Sequence, residues 1–433
     1  MSFKKNIIKT VKISFGNMIE WYDYSLYGYF AIIISHQFFP SQSSWLSLLL
    51  TFGTFAAGYV ARPLGSIFFG YLGDRKGRHF AMNMAILFMA IPTIIMAFIP
   101  TYASAGVLAP IILVVIRIFQ GVSAGGQFGN LMAIASEDSK VRYTGFNVSV
   151  AFSTSILGFI LASAVSSLAV NIFPADWGNL VWRIPFAFGA ILLIAFLFFR
   201  EQDEKETFLS ESRSPVIQLT KTYKRHLLSV TTIATVALMI YYIDITYMTT
   251  YMVDILGMHL SVALTVNTIA IFFMFLATPF FGFISDKIGR KEVLFFSFVI
   301  SLILSPILIY LLDAGRLEFS TFILIVLAIM TGMIQGAANP CYTEVFPSNV
   351  RASGASIVYG LGASISGFAP LLATFITGVM PPVLGVSLLM FILCGIGVIM
   401  TFIMPVKQMG RRRLNDLEQQ LVYNKEKTVR YSG

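Results

Sequence analysis

A chain of 433 residues that is 57% hydrophobic and only 12% charged, with a mean hydropathy of +0.79, is no soluble globule; such proteins carry about 25% charged residues. The net charge of +9 would suit nucleic acid, but the bases are unevenly placed. Threading the apolar runs through a bilayer puts about 26 of the 30 Lys and Arg on one side, which is the positive-inside pattern and not a basic patch.

Runs of about 18 or more apolar residues, each long enough to cross a hydrocarbon core of about 30 Å, recur about twelve times. The pattern predicts helices over roughly 13–39, 45–71, 79–100, 107–135, 144–170 and 183–199, then 227–255, 263–283, 293–312, 320–343, 353–378 and 384–404. Residues 200–226 form the longest charged interior loop, and 405–433 a polar tail. The expected architecture is an all-α integral membrane protein. It divides into an N-terminal six-helix bundle (1–199), a cytoplasmic linking loop (200–226), a C-terminal six-helix bundle (227–404) and a cytoplasmic tail (405–433). Both termini are expected in the cytoplasm. The first apolar stretch contains Asn17, Glu20 and Asp23 and has no small-residue cleavage site, so it reads as a retained helix and not a signal peptide.

In that first helix Glu20 and Asp23 are three apart and share a face. Counting from Lys12 at about 1.5 Å per residue, they lie roughly 12–17 Å deep. A carboxylate there costs about 2.5–3.5 kcal/mol on insertion scales, so it needs a partner or a proton. Arg62 in helix 2 falls at a similar depth and is the expected partner. Arg117 in helix 4 and Asp244 in helix 7 fall in the opposite half of the bilayer, and they are expected to meet across a central cleft. Tyr24 and Tyr27 in helix 1, with Tyr247 and Tyr251 in helix 7, could cage a quaternary ammonium by cation–π attraction. Asn17, Gln120, Gln127, Asn130, Gln335 and Asn339 are neutral hydrogen-bonders suited to orienting a substrate, or to tying helices together.

Three echoes point to a duplication. Gly70-Tyr-Leu-Gly-Asp-Arg-Lys-Gly-Arg78 returns 212 positions later as Gly282-Phe-Ile-Ser-Asp-Lys-Ile-Gly-Arg290, with seven of nine places alike. Val141-Arg-Tyr-Thr-Gly145 matches Val350-Arg-Ala-Ser-Gly354, and Gln120-Gly121 matches Gln335-Gly336, at offsets of 209 and 215. Parallel six-helix repeats are a transporter architecture with its site near the midplane between the halves. Gly77 and Gly289 suit tight turns, since glycine tolerates positive φ.

With those hairpins, the sequence resembles the major facilitator superfamily, and within it the bacterial metabolite:proton symporters. Narrower matches are Gly16-Asn-Met-Ile-Glu-Trp-Tyr-Asp-Tyr24 with Tyr27-Gly28, Arg62-Pro63-Leu-Gly65, and Arg117-Ile-Phe-Gln-Gly121 through Gly125-Gly126. Trp182-Arg183-Ile-Pro185 and Glu344-Val-Phe-Pro347 through Arg351 complete them. The resemblance implies twelve helices in two pseudo-symmetric bundles. It also implies import of proline, betaine or ectoine, or of acids such as 2-oxoglutarate, citrate or shikimate, by proton symport at a bacterial inner membrane. The tyrosines favour a proline- or betaine-like zwitterion. Gln127 stands where the family usually has a Glu, so one proton-linked position is changed, and Asp244 is expected to take over part of its role. The hairpin charges Asp74, Arg75, Arg78, Asp286, Lys287 and Arg290, framed by Gly70, Gly77, Gly282 and Gly289, are implied to act as a conformational latch. Their partners would be helix-end groups such as Glu137, Arg142, Glu344 and Arg351.

The expected proton-coupling set is therefore Glu20, Asp23, Asp244, Arg62 and Arg117. No cofactor or metal is expected, the proton gradient supplying the energy, and the partners are a small solute, protons and the lipid bilayer, with a monomer expected. The four histidines (His36, His79, His226 and His259) are scattered near helix ends without HExxH or a nucleophile elbow, which argues against an enzyme. A sodium-coupled or facilitative carrier of the same fold, or a non-transporting sensor, is the alternative.

Overall fold

The computed structural model describes residues 3–76, 78–125, 131–132, 135–136, 143–173, 180–199, 219, 221–312, 317–346 and 350–404. At 3–15, 70, 71, 73–76, 78–83, 86, 196–199, 317 and 352 it describes the backbone alone. Among these residues twelve helical rods run back and forth across one apolar slab. We label them α1 (Phe3–Tyr29, continued by Ala31–Phe38), α2 (Ser44–Val60, continued by Arg62–Lys76), α3 (Arg78–Phe98), α4 (Leu108–Ala124), α5 (Thr144–Ile172) and α6 (Arg183–Phe199). The second half comprises α7 (Lys224–Tyr242, extended through Ile243–Tyr247, Met248–Thr250 and Tyr251–Ile255), α8 (Leu260–Ile288), α9 (Arg290–Leu312) and α10 (Leu317–Glu344). It ends with α11 (Arg351–Ser366 and Ala369–Val379) and α12 (Pro382–Ile403). Leu64, Ile67, Ile91, Ile191, Phe296, Ile303 and Phe402 are among the large apolar side chains on the outer surface. In water such a surface would be a liability; in hydrocarbon it is required.

The predicted spans hold to within a few residues except at α1, which starts at Phe3 instead of near 13, and at α4, expected to reach 135, whose continuous helix ends at Ala124 ahead of residues outside the described set. The breaks inside helices have local causes. Pro63 has no N–H to continue the ladder from α2, and Leu64 bonds instead to Ala61 O at 3.1 Å. In α11 the rod is interrupted ahead of Pro370, and Phe368 N bonds Ile365 O at 3.1 Å. The Trp182–Pro185 motif is structural: Arg183 donates to Ala97 O at 2.9 Å and Ile99 O at 2.6 Å, satisfying orphan carbonyls at the end of α3.

The internal repeat is visible as packing. A Cβ on Gly121 would run into Gly58 O, one on Gly65 into Val122 O, and one on Gly125 into Arg62 O, so α2 and α4 touch backbone to backbone. In the second half Gly336 meets Thr278 O in the same way, seating α10 on α8. The halves join along two seams. Where α5 meets α10 and α8, Ser149 Oγ donates to Gly336 O of α10 (3.1 Å) near the hairpin end, while Thr268 Oγ1 of α8 donates to Ser163 Oγ (2.8 Å) and Ser167 meets Thr265 (2.9 Å) toward the far end. On α2 and α11, Trp45 Nε1 donates to Thr374 O at 2.8 Å and Tyr59 lies against Gly367.

Gly121→Ala should lower the melting temperature in detergent, the overpacking costing about 1–3 kcal/mol. Gly53→Ala, with open space around the added methyl, should leave it unchanged.

Candidate functional site

Glu20, Asp23, Tyr24 and Tyr27 recur at helical spacing on α1, and that face turns into the N-terminal bundle, where all four are buried. The glycine contact of α2 with α4 carries two arginines to the same place: Arg62 and Arg117 are 2% and 0% exposed. The Arg62 guanidinium carbon lies 4.0 Å from the Tyr59 ring centroid, 4.6 Å from Tyr24 and 4.9 Å from Trp21. That of Arg117 lies 4.5 Å from Tyr27, 4.6 Å from Tyr24 and 5.6 Å from Phe55. Desolvated cation–π contacts of this kind contribute up to about 2 kcal/mol each. Tyr24 is shared by both cations.

The carboxylates are close but not in direct pairs. Arg117 Nη1 donates to Gln120 Oε1 (3.0 Å), and Gln120 Nε2 donates to Asp23 Oδ2 (2.7 Å), with Thr93 Oγ1 at 3.4 Å. Gln120 thus relays a cation to an anion. Among the described residues neither arginine forms an ion pair with Glu20 or Asp23. Arg62 acts on Glu20 through space alone, so the expected direct partnership is replaced by an aromatic cradle. Nε and Nη2 of Arg62, Nε and Nη2 of Arg117, Oε2 of Glu20 and Oδ1 of Asp23 have no hydrogen-bond partner among the described residues. A buried polar atom left so is costly, and a fork of two such donors is a receptor edge.

Two expectations are corrected here. Asp244 does not approach Arg117: its Oδ2 accepts from Thr331 on α10, and Arg117 is engaged by Gln120 within its own half. The backbone of Ile243–Tyr247 is a π turn, and the Asp244 carboxylate on it meets α10. Nor do Tyr24 and Tyr27 form a vacant cage, since the protein's own guanidiniums occupy their rings and Tyr27 Oη donates to Thr51 O (3.0 Å).

The neutral residues divide. Asn17 ties α1 to Ser155 of α5 (2.7 Å) and accepts from Trp21 Nε1 (3.0 Å); Gln335 ties α10 to Ala237 O of α7 (2.9 Å). Asn339 donates to Gln335 O (2.8 Å), and its Oδ1 is without a partner among the described residues. Tyr247 bonds Thr377 (3.0 Å), and Tyr251 is buried. Gln127, Asn130, Gly77, Glu137 and Arg142 lie outside the described residues, as do the side chains of Asp74, Arg75 and Arg78 and the surroundings of Gly70. Trp21, Tyr59, Phe55, Thr93 and Thr331 were missed as site residues. Tyr59 stood three positions before Arg62, the helical spacing that lets a ring underlie a cation.

At the second hairpin Gly289 has φ +133°, a conformation that favours glycine. Arg290, fully buried, joins Asp286 (2.6 Å) and Glu344 (3.0 and 3.2 Å), while Asp286 also accepts from the backbone N–H of Gly145 and Phe146, both at 2.9 Å. A carboxylate of the C-terminal bundle thus caps the first turn of a helix in the N-terminal bundle, where the helix dipole favours negative charge. Lys287 lies 4.3 Å from the Phe283 ring, and Arg351 bonds Phe346 O at 3.4 Å.

The sequence profile described as the Major Facilitator Superfamily matches residues 13–370, most of the chain. The chain belongs to the major facilitator superfamily. This major facilitator protein is 32% identical over 374 residues to the alpha-ketoglutarate permease of Escherichia coli K12, covering 84% of the chain and 85% of the relative. It is 30% identical over 380 residues to the citrate-proton symporter of Klebsiella pneumoniae (84% of each), and 28% identical over 389 residues to the proline/betaine transporter of E. coli K12 (84% and 76%). Its fold matches that of a proton:xylose symporter with a TM-score of 0.71 at 17% identity, covering 94% of this chain and 98% of that one.

Arg290→Met should destabilise this major facilitator protein by about 3–5 kcal/mol, because it strands two buried carboxylates. The double variant Arg290→Met/Glu344→Leu should recover part of that loss in the same melting assay.

Proposed function

We propose that this chain imports a small organic anion carrying two or more carboxylates, of the 2-oxoglutarate or citrate type, by proton symport across a bacterial inner membrane. The observation that carries this is the pair of unpartnered guanidinium edges. On Arg62 and on Arg117 the free donors are Nε and Nη2, the edge whose spacing matches a carboxylate bidentately. Two such forks near one ring suit two carboxylates of one solute. A betaine would bring a quaternary ammonium to rings already facing two cations, so the zwitterion favoured by the tyrosine count is the weaker reading. The names of the relatives in the 30% range, an alpha-ketoglutarate permease and a citrate-proton symporter, point the same way.

Coupling follows from charge. With Glu20 and Asp23 ionised, they balance Arg62 and Arg117; a bound dianion would leave the buried site two charges in excess. Desolvation resists that excess, and the carboxylates relieve it by taking up protons. Solute and proton then enter together or not at all. Positive-inside bias places the hairpins and both termini in the cytoplasm. The two bundles, linked by residues 200–226, rock about the site, with Asp286, Arg290 and Glu344 latching the hairpin end to α5.

Purified protein in vesicles should accumulate 2-oxoglutarate or citrate when the lumen is alkaline, with no response to a sodium gradient. Arg62→Lys or Arg117→Lys should lower kcat/KM by roughly 10- to 150-fold, the value of a charged hydrogen bond of about 1.5–3 kcal/mol. Uptake of betaine or proline that dicarboxylates do not compete would refute the substrate class. Asp23→Asn should retain solute exchange and lose accumulation against a gradient. Asp286→Ala should raise labelling of a cysteine placed at the hairpin end of α5, because the halves part there more often.

A further inference from the structure

The segment Ile243–Tyr247 is a hub. Each of its last four residues is held by a different helix. Asp244 Oδ2 accepts from Thr331 of α10, and Ile245 O accepts from Asn267 of α8 at 3.1 Å. The Thr246 methyl occupies the space where a Cβ of Gly28 on α1 would lie, and Tyr247 Oη bonds Thr377 of α11 at 3.0 Å. One carbonyl loosened by the π winding is thus taken up by Asn267, so the turn is a built feature. A second π turn, Tyr251–Ile255, follows after three residues. Between them the two turns replace the regular α ladder in this end of α7.

Asp244 is the hub's carboxylate. It is 7% exposed, and its Oδ1 has no partner among the described residues. Among the described residues, the groups that meet the segment include Asn267 from α8, Thr331 from α10, Thr377 from α11, Gly28 from α1 and Phe52 from α2. Cys394 of α12 is the titratable neighbour of Asp244, and Tyr251 and Asp254 lie near Tyr247 at the far end of the segment. None of these is a cation, whereas Glu20 and Asp23 both lie within reach of an arginine's field. An ionised Asp244 so placed has one hydroxyl to stabilise it, and a neutral one satisfies the site at the expense of one proton.

We propose that Asp244 is a second proton-carrying group, independent of the arginine-linked carboxylates, and that its protonation sets how the α7 turn packs on α1. When a proton is bound, the neutral carboxyl stays against Thr331 and Thr246 seats on Gly28, closing the far end. When the far end opens and water reaches the turn, the carboxyl exchanges its proton with that water; on the hairpin-open side it gives the proton up. One proton enters and one leaves per cycle, with no other reactant. This rests on the proton-symport reading and adds a carrier group in the C-terminal half.

The test is the number of protons moved per solute in vesicles, read from the reversal potential of 2-oxoglutarate or citrate flux. Asp244→Asn should keep solute exchange and transport one proton fewer than the parent; an unchanged ratio would overturn the proposal. Infrared difference spectra of the parent between acid and alkaline buffer should contain a protonated-carboxyl band that moves in Asp244→Glu, which keeps the group ionisable if Asp244→Asn misfolds. A band unmoved by that substitution would equally overturn it. The spectra need no transport, so they decide Asp244's role even if neither acid is carried and the substrate reading fails.

Discussion

Two guanidinium groups buried in hydrocarbon without a carboxylate in direct contact are the constraint from which the rest of the N-terminal bundle follows. An arginine there needs compensation, and this chain supplies it with rings instead of counter-ions. Trp21, Tyr24 and Tyr27 on α1 and Phe55 and Tyr59 on α2 are therefore committed to cations. The glycines at 58, 65, 121 and 125 are committed to bringing those backbones close enough for the rings to serve. A salt bridge would have been simpler but would have spent the guanidinium edge. Rings hold the cation by its face and leave the edge to a ligand.

The same economy accounts for Gln120. By accepting from Arg117 and donating to Asp23 it transmits charge between them without letting them collapse into a pair. On the proposed function, protonation at Asp23 alters what Gln120 offers to Arg117, and two hydrogen bonds link the proposed proton site to the proposed solute fork. Hydrogen bonds in series inside a low-dielectric interior polarise one another, which is what a coupling element requires.

Much of this was legible in the chain. Twelve apolar runs, the doubled hairpin and the Gln-Gly echo revealed both bundles before any coordinates, because membrane helices have a length imposed by the bilayer and repeats keep their register. The burial of Glu20, Asp23, Arg62 and Arg117 was legible too, since polar groups in such runs turn inward. Partnerships were not. Sequence spacing says which residues share one helix face and is silent on which face meets which across helices, so Arg62 looked like an ion-pair partner and the tyrosines like an empty cage. Asp244 was misassigned for a different reason. Its depth follows from the regular helix Lys224–Tyr242, but its neighbour is set where the winding changes at Ile243, and nothing in Ile-Asp-Ile-Thr-Tyr announces a π turn.

The two halves have kept the repeat's geometry and abandoned its chemistry. Gln120 and Gln335 occupy matching places on α4 and α10, and each reaches back to the first helix of its own half. One finds the Asp23 carboxylate and the other finds the Ala237 carbonyl. Forks, relay and acid thus lie on α1, α2 and α4 of one bundle, so the proposed rocking does not have to break any charge contact among them. What the C-terminal half presents to this cluster includes Tyr242, 5.1 Å from Tyr59 and 6.3 Å from Trp21, Tyr241, 5.6 Å from Phe159, and Tyr359 within the field of Arg62. In the proposed cycle, parting the bundles would withdraw those rings and admit water beside the arginines, and closing them would restore the apolar wall. Since the strength of every charge interaction in the cluster scales inversely with the local dielectric, that exchange of ring for water would, on the proposed function, change the affinity for proton and anion together. The alternation of access and the alternation of affinity are then one event.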